Sequence, residues 1–320
     1  MIINNQIIEK IEKSKNVAIY VHIRPDGDCL GAATALKCVL KKMGKIADIF
    51  CDGEVGSTYD FLPDISLINV RKCDGYDLAV AVDCADETRL GGFINDFYEI
   101  NNTIKIDHHK SGTNFAKINF VENVGSTCEI LYFLFKQLNA QFDENICCAL
   151  YCGIAADTGC FMHDNVTSQT HSVVADIMNY KFDFGYVNYK LFKCRSLSQI
   201  NLLKQMLNNM LFICDKKVAI SYLTINDFKK NNAKTSDTIG MVNNLSGIDT
   251  VDIGVLISED KPGLYTCSFR SKGNIDVSVV CQKFGGGGHL NASGCNIFGG
   301  YKTVISKIEK VINEYYAGLY

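Results

Sequence analysis

The chain reads as an α/β protein: a parallel-sheet domain followed by a second, smaller α/β domain. Three observations predict this. The short, β-branched apolar runs Val17–Val21, Leu78–Val82 and Thr103–Ile106 alternate with helix-patterned stretches, the signature of parallel strands joined by covering helices. Each run leads directly into acidic or histidine residues, and the carboxyl ends of strands in such sheets face the crevice where ligands bind. Finally, 320 residues exceed the usual size of one domain, and a new set of strand patterns begins near Val218.

The elements follow in order. The first fifteen residues are mixed polar and open a helix. Cys29–Met43 has the apolar spacing of a helix closed by Gly44, and Ile46–Cys51 is a strand. Ser126–Leu138 and Glu144–Ala156 have helical spacing. Asp157 closes the apolar segment Ile146–Ala156 and is grouped with the other acids as a fourth strand-end position. Ser168–Asn209 is almost entirely helical in pattern, with a connecting helix near Leu197–Asn209. Beyond it Val218–Thr224, Thr250–Ser258 and Leu264–Ser271 read as strands, with Val277–Phe284 and Tyr301–Tyr315 as helices. The expected domains are residues 1–190 and 215–320, joined by a linker over 191–214.

Composition narrows the functional class. The net charge is −3 and no basic block occurs, which argues against a protein that tracks long nucleic acid by neutralising phosphates. A short anionic substrate remains open, because a few placed cations suffice. No signal peptide and no membrane span are legible, so a cytoplasmic protein without membrane contact is expected. The 15 cysteines are odd in number, lack C-x-x-C spacing and mostly sit in apolar runs. They read as small buried hydrophobes in a reducing compartment.

The chemistry concentrates in four clusters: His22-Ile-Arg-Pro-Asp26-Gly-Asp28, Asp83, Asp107-His108-His109, and Asp157. Gly27 permits a tight turn, so Asp26 and Asp28 can face one point. Carboxylates and imidazoles gathered in one crevice repel or take up protons unless a cation holds them. Six ligands with one carboxylate shared suit two metal ions, and mixed imidazole and carboxylate donors suit Mn²⁺, Co²⁺, Fe²⁺ or Zn²⁺ better than Mg²⁺. A lone Asp-x-Asp is more often a solvated turn, and a strand-end Asp is often a helix cap. Four such clusters, one with a His-His doublet, make that bland reading a poor account. Near the other end, Gly285-Gly286-Gly287-Gly288-His289 exposes backbone N–H groups for a phosphate or sugar. Arg270 offers a bidentate fork for phosphate.

These motifs resemble, in order, the four motifs of the DHH phosphoesterases. Phe284–His289 with Asn291-Ala292-Ser293-Gly294 resembles the signature of the DHH-associated C-terminal domain, and Arg270-Ser271 matches its substrate-binding arginine region. The resemblance covers nearly the whole chain. It is closest to stand-alone nanoRNase and pAp-phosphatase proteins.

The resemblance implies that His22, Asp26 and Asp83 bind one metal. It assigns Asp28, Asp83, His108 and Asp157 to the second, with Asp83 as the bridge and Mn²⁺ as the expected ion. Asp107 orients a histidine, and His109 stabilises charge or donates a proton. Arg270, Ser271, Gly285, Gly286, Gly287, Gly288 and His289 bind substrate, in a cleft between the domains. The implied reaction is attack on phosphorus by a two-metal-activated hydroxide. It would hydrolyse very short oligonucleotides to mononucleotides, or 3′-phosphoadenosine 5′-phosphate to AMP.

The nearest alternative is a phosphodiesterase acting on pApA or cyclic di-AMP. A RecJ-like exonuclease, a family II pyrophosphatase and a non-catalytic nucleotide-binding regulator fit less of the pattern. Long duplexes are not expected as partners. The reading leaves room for a homodimer.

Overall fold

The computed structural model describes residues 1–318. The chain divides between Cys194 and Arg195 into two compact units. The first contains helices α1 (Asn5–Lys13), α2 (Gly27–Lys42), α3 (Ile94–Glu99), α4 (Thr127–Gln137), α5 (Glu144–Asp157), α6 (Ser168–Ile177) and α7 (Phe184–Asn188). Its strands are β1 (Asn16–Tyr20), β2 (Ile46–Phe50), β3 (Leu78–Val82), β4 (Thr103–Asp107) and β5 (Ile118–Val121). They form one parallel sheet in the order β2-β1-β3-β4-β5.

The strands of this sheet are buried on both faces, which is why the sequence shows continuous apolar runs rather than alternation. One face carries Val17, Ile19, Val80, Val82 and Ile104 against α2, α4 and α5. The other carries Ala18, Tyr20, Phe50, Ala79 and Ala81 against Phe97 of α3.

The second unit has helices α8 (Leu197–Asn208), α9 (Ile225–Lys230), α10 (Asn243–Ser246), α11 (Val277–Gln282) and α12 (Tyr301–Tyr316). Its strands are β6 (Leu211–Ile213), β7 (Val218–Leu223), β8 (Ile253–Lys261), β9 (Leu264–Ser271), β10 (Gly287–His289) and β11 (Ala292–Phe298). They form a mixed sheet, β10-β11-β9-β8-β7-β6. Core residues such as Val255, Cys267 and Phe269 lie against α11 and α12, while Ala219, Leu223 and Leu256 lie against α8, α9 and α10.

Two expectations change. Asp157 ends helix α5, not a strand. The segment is the helix that the spacing of Glu144–Ala156 predicts, and Ile146 to Ala155 is buried almost all round. The glycine run is not a simple loop: Gly287–His289 form an edge strand paired antiparallel with β11. Among the described residues, no helix is long and apolar enough to cross a membrane.

Candidate metal and phosphoester site

The parallel strands place the polar residues at one edge. His22 lies two residues past β1, Asp83 follows β3 directly, and Asp107 is the last residue of β4. Asp26 caps α2, accepting from the N–H groups of Asp28 and Cys29 at 3.1 Å each. That cap sets Asp28 in the first helical turn. Asp83 has a left-handed backbone, φ 58°, a conformation most side chains avoid and Asp tolerates better than most.

Helix packing brings in the last ligand candidate. A Cβ on Gly27 would stand 2.5 Å from Ala156 Cβ, and one on Gly31 would stand 2.5 Å from the Ala149 carbonyl. Only glycines allow α2 and α5 to approach this closely, which carries Asp157 toward Asp28. A Cβ on Gly153 would lie 2.5 Å from Asp28 Oδ1.

The assembled residues fall into two sets that meet at Asp83. In the first, His22 Nε2 is 3.5 Å from Asp26 Oδ2 and 3.7 Å from Asp83 Oδ2. In the second, His108 Nε2 is 3.0 Å from Asp157 Oδ2, 3.5 Å from Asp83 Oδ1 and 3.9 Å from Asp28 Oδ2. The two oxygens of Asp83 therefore face different imidazoles. The Cys29 thiol adjoins the first set, although it already accepts the N–H of Asp26 at 3.3 Å.

His109 stands beside the second set, its Nδ1 2.7 Å from Asp107 Oδ1 and 3.6 Å from Asp83 Oδ1.

The electrostatics call for a cation. Burial pushes the Asp28 carboxyl up to about 7, with the Asp157 charge adding to it. Burial, then Asp28, Asp26 and Asp157, pushes Asp83 well above the carboxylate range. Burial opposes a charge on His108, yet the hydrogen bond to Asp157 and the charges of Asp28 and Asp83 outweigh it, pushing the imidazole up to about 10. Nδ1 of His108 meets the Val124 carbonyl at 3.2 Å, where it can only donate. Nε2 is buried and faces Asp157 Oδ2 at 3.0 Å. In neutral His108 its lone pair faces carboxylates, so either a proton or a metal ion must stand there. These donors fit divalent ions of mixed nitrogen and oxygen preference.

Sequence reasoning missed the residues that hold these carboxylates. Thr127 donates its N–H to Asp28 Oδ2 at 2.6 Å and its hydroxyl to Asp83 Oδ1 at 2.9 Å. Cys128 donates its N–H to Asp28 Oδ1 at 3.0 Å. The start of α4 thus anchors two site carboxylates. The serine cap at Ser126 was the available signal.

In the second unit, Arg270, Ala292 and His289 lie in one row across β9, β11 and β10. Residues directly opposite share a face, so arginine and histidine flank a small alanine. Arg270 is half-buried and donates Nη1–H to the Phe269 carbonyl at 2.9 Å.

Several of the expected substrate-contact groups have local partners here. The Ser271 hydroxyl donates to the Ile275 carbonyl at 2.6 Å and accepts from Asn291. The N–H groups of Gly285 and Gly286 donate to the carbonyls of Gln282 and Cys281 at 3.0 and 2.9 Å, closing α11. The expected display of four free N–H groups therefore does not occur. Gly287 and Gly288 sit instead on β10.

Known proteins agree with this architecture. Residues 16–154 match the model of the DHH family, N-terminal domain, and residues 215–317 that of the DHHA1 domain. A Streptococcus mutans protein named probable bifunctional oligoribonuclease and PAP phosphatase NrnA is 26% identical over 91% of this chain and 93% of its own. The Mycoplasma genitalium bifunctional oligoribonuclease and PAP phosphatase NrnA is 28% identical, covering 91% and 92%. An exopolyphosphatase-related protein from Bacteroides fragilis has the same fold, with a TM-score of 0.91 at 22% identity over 97% of this chain and 95% of its own. The chain belongs to the DHH family of phosphoesterases, with a DHHA1 domain in its C-terminal unit.

Proposed function

We propose that this protein is a divalent-metal-dependent phosphoesterase acting on very short nucleotide substrates. It would hydrolyse di- to tetranucleotides to mononucleotides and 3′-phosphoadenosine 5′-phosphate to AMP. The observation that carries this reading is Asp83, whose two oxygens are divided between two imidazole–carboxylate sets. The names of the S. mutans and M. genitalium relatives support the substrate class.

His22, Asp26 and Asp83 would hold one ion, and Asp28, Asp83, His108 and Asp157 a second, with Mn²⁺ the best match to the donor set. Bound there, divalent ions supply charge for the phosphate oxygens and a water activated at neutral pH. The protein's own groups do the rest. Thr127 and Cys128 keep Asp28 from turning away. Asp107 holds Nδ1 of His109, which leaves Nε2 for a phosphate oxygen or the leaving group. Arg270 and His289 recognise the substrate's phosphate and nucleotide through charge-assisted contacts.

A turnover panel with Mn²⁺ tests the reading: 3′-phosphoadenosine 5′-phosphate, pApA, RNAs of graded length, cyclic di-AMP and pyrophosphate. The expected result is metal-dependent release of AMP or mononucleotides, fastest on the shortest RNAs and abolished by EDTA. Equal or faster degradation of long strands would point to a RecJ-like exonuclease. Hydrolysis of pyrophosphate alone would overturn the substrate class.

A further inference from the structure

Strand β4 reads Thr-Ile-Lys-Ile-Asp, and its Lys105 is chemically out of place. The side chain has no exposed surface. Burying an ammonium is unfavourable unless its protons find acceptors, and here three acceptors stand around it. Nζ donates to the carbonyls of Ala85 at 2.8 Å and Thr113 at 3.0 Å, and it is 3.1 Å from Asp107 Oδ2. The ring of Phe115 lies 5.3 Å from it. The space is tailored to the ammonium: a Cβ on Gly112 would stand 2.8 Å from Nζ and 2.3 Å from the Ala85 carbonyl.

The ammonium joins three segments: the turn that carries Asp83, the turn that follows His108-His109, and Asp107 itself. The N–H of Thr113 reaches the same Ala85 carbonyl at 2.9 Å. Asp107 is divided in a matching way. Oδ1 takes the His109 ring at 2.7 Å and the His109 backbone N–H at 3.2 Å. Oδ2 is buried and faces the Lys105 ammonium at 3.1 Å. A carboxylate free to rotate could swing away from the imidazole, and the ammonium on Oδ2 opposes that.

We propose that Lys105 is a positioning residue for the reaction. By pinning Oδ2 of Asp107 it fixes Oδ1 on Nδ1 of His109, and so sets where His109 presents Nε2. The kinetic part of this inference rests on the phosphoesterase reading. The geometric part does not.

The test compares Lys105→Met, Asp107→Asn and the double variant with the wild type. Side-chain ¹H–¹⁵N spectra of metal-free, ¹⁵N-histidine-labelled protein report the hydrogen-bonded Nδ1–H of His109, assigned by its loss in His109→Asn. Titration calorimetry with Mn²⁺ alone reports metal stoichiometry. Lys105→Met should lose the His109 signal and lower kcat about tenfold to a hundredfold, as misplacing a reacting group does. KM and Mn²⁺ stoichiometry should stay unchanged, which a merely structural defect would not spare. The double variant should be no slower than Asp107→Asn, since Lys105 acts through Asp107.

A His109 signal retained in Lys105→Met overturns the proposal. So does a double variant well below Asp107→Asn in kcat. If Lys105→Met fails to fold, the double variant, which leaves no unpaired buried carboxylate, carries the same comparison. If the wild type hydrolyses no phosphoester, the functional reading fails, and the His109 spectrum still decides the role of Lys105.

Discussion

In the N-terminal unit the side chains of Asp28, Asp83 and Asp107 have almost no exposed surface. In the C-terminal unit His289 and three of the four glycines before it stand in solvent. The acids are interlocked: helix α4 holds Asp28 and Asp83, Lys105 holds Asp107, and close helix packing brings Asp157 alongside. The Arg270–Ala292–His289 row is held by one sheet register and little else. A site that must keep like charges together needs such a frame, because each carboxylate left unpaired is driven to take up a proton. A surface that recognises a nucleotide needs only a few exposed donors on a rigid backbone. Substitutions in the first region should therefore act on kcat and metal binding, and those in the second on KM.

The largest effect should come from Asp83→Ala. It removes the carboxylate shared by both imidazole sets, so activity should fall by more than about a hundredfold, the most that an outer partner of a metal ligand is worth. Mn²⁺ stoichiometry, measured by calorimetry, should fall with it. A variant that turned over at half the wild-type rate with unchanged Mn²⁺ binding would erase the contrast between the two regions.

Protons offer a second handle on the buried region alone. In the metal-free protein Asp28 is pushed up to about 7 and His108 up to about 10. Both folded-state values are raised, so the native chain holds protons that the unfolded chain releases. The stability they contribute is complete below their ordinary values. It is lost as pH rises, through about 7 for Asp28 and about 10 for His108. Metal must displace the same protons. Mn²⁺ affinity should therefore rise with pH across this window, with about one proton released from His108 on binding at pH 7. Calorimetry in buffers of different ionisation enthalpy reads that release directly, and a binding heat independent of buffer would contradict the assignment of His108.

How much of this was legible beforehand follows from the same contrast. His22, Asp26, Asp28, Asp83, Asp107 and His108 were readable because polar residues at the ends of wholly apolar strands are conspicuous. Lys105 was not, since one lysine flanked by Ile104 and Ile106 looks like a strand residue whichever way it faces. Asp157 was grouped with the strand-end acids although the segment before it, Glu144–Ala156, was legible as a helix, because a helix buried all round carries as continuous an apolar run as a buried strand. Thr127 and Gly153 act through contacts with residues far away in sequence, which no local pattern records. In the C-terminal unit, strands of three residues such as β6 and β10 fall below the length at which alternation can be seen. The capping duty of Gly285 and Gly286 depends on where α11 ends.

Arg270→Ala should separate recognition from chemistry. Losing a charge-assisted contact costs roughly 1.5–3 kcal/mol, so KM should rise by about one to two decades while kcat and Mn²⁺ binding change little. The measurement is steady-state kinetics on 3′-phosphoadenosine 5′-phosphate and on a dinucleotide. An unchanged KM on both would remove Arg270 from the substrate surface.

The smallest and most selective test lies within the glycine run. A Cβ on Gly286 would stand 2.2 Å from the Gly294 carbonyl, and one on Gly288, where φ is +145°, would stand 2.6 Å from the Ala292 carbonyl. Those two positions demand glycine for the hairpin itself, whatever binds there. Gly285 has a positive φ of +70° and an N–H committed to α11. Gly287 differs: its φ lies outside the left-handed range and no atom stands within 4 Å of an added Cβ. Gly287→Ala should fold as well as the wild type, with an unchanged thermal midpoint. If the run accommodates substrate, the new methyl group occupies space the nucleotide needs, and KM should rise several-fold at constant kcat. A Gly287→Ala protein with wild-type KM on every nucleotide tested would assign the four glycines to the architecture of the hairpin, leaving Arg270 and His289 to carry recognition.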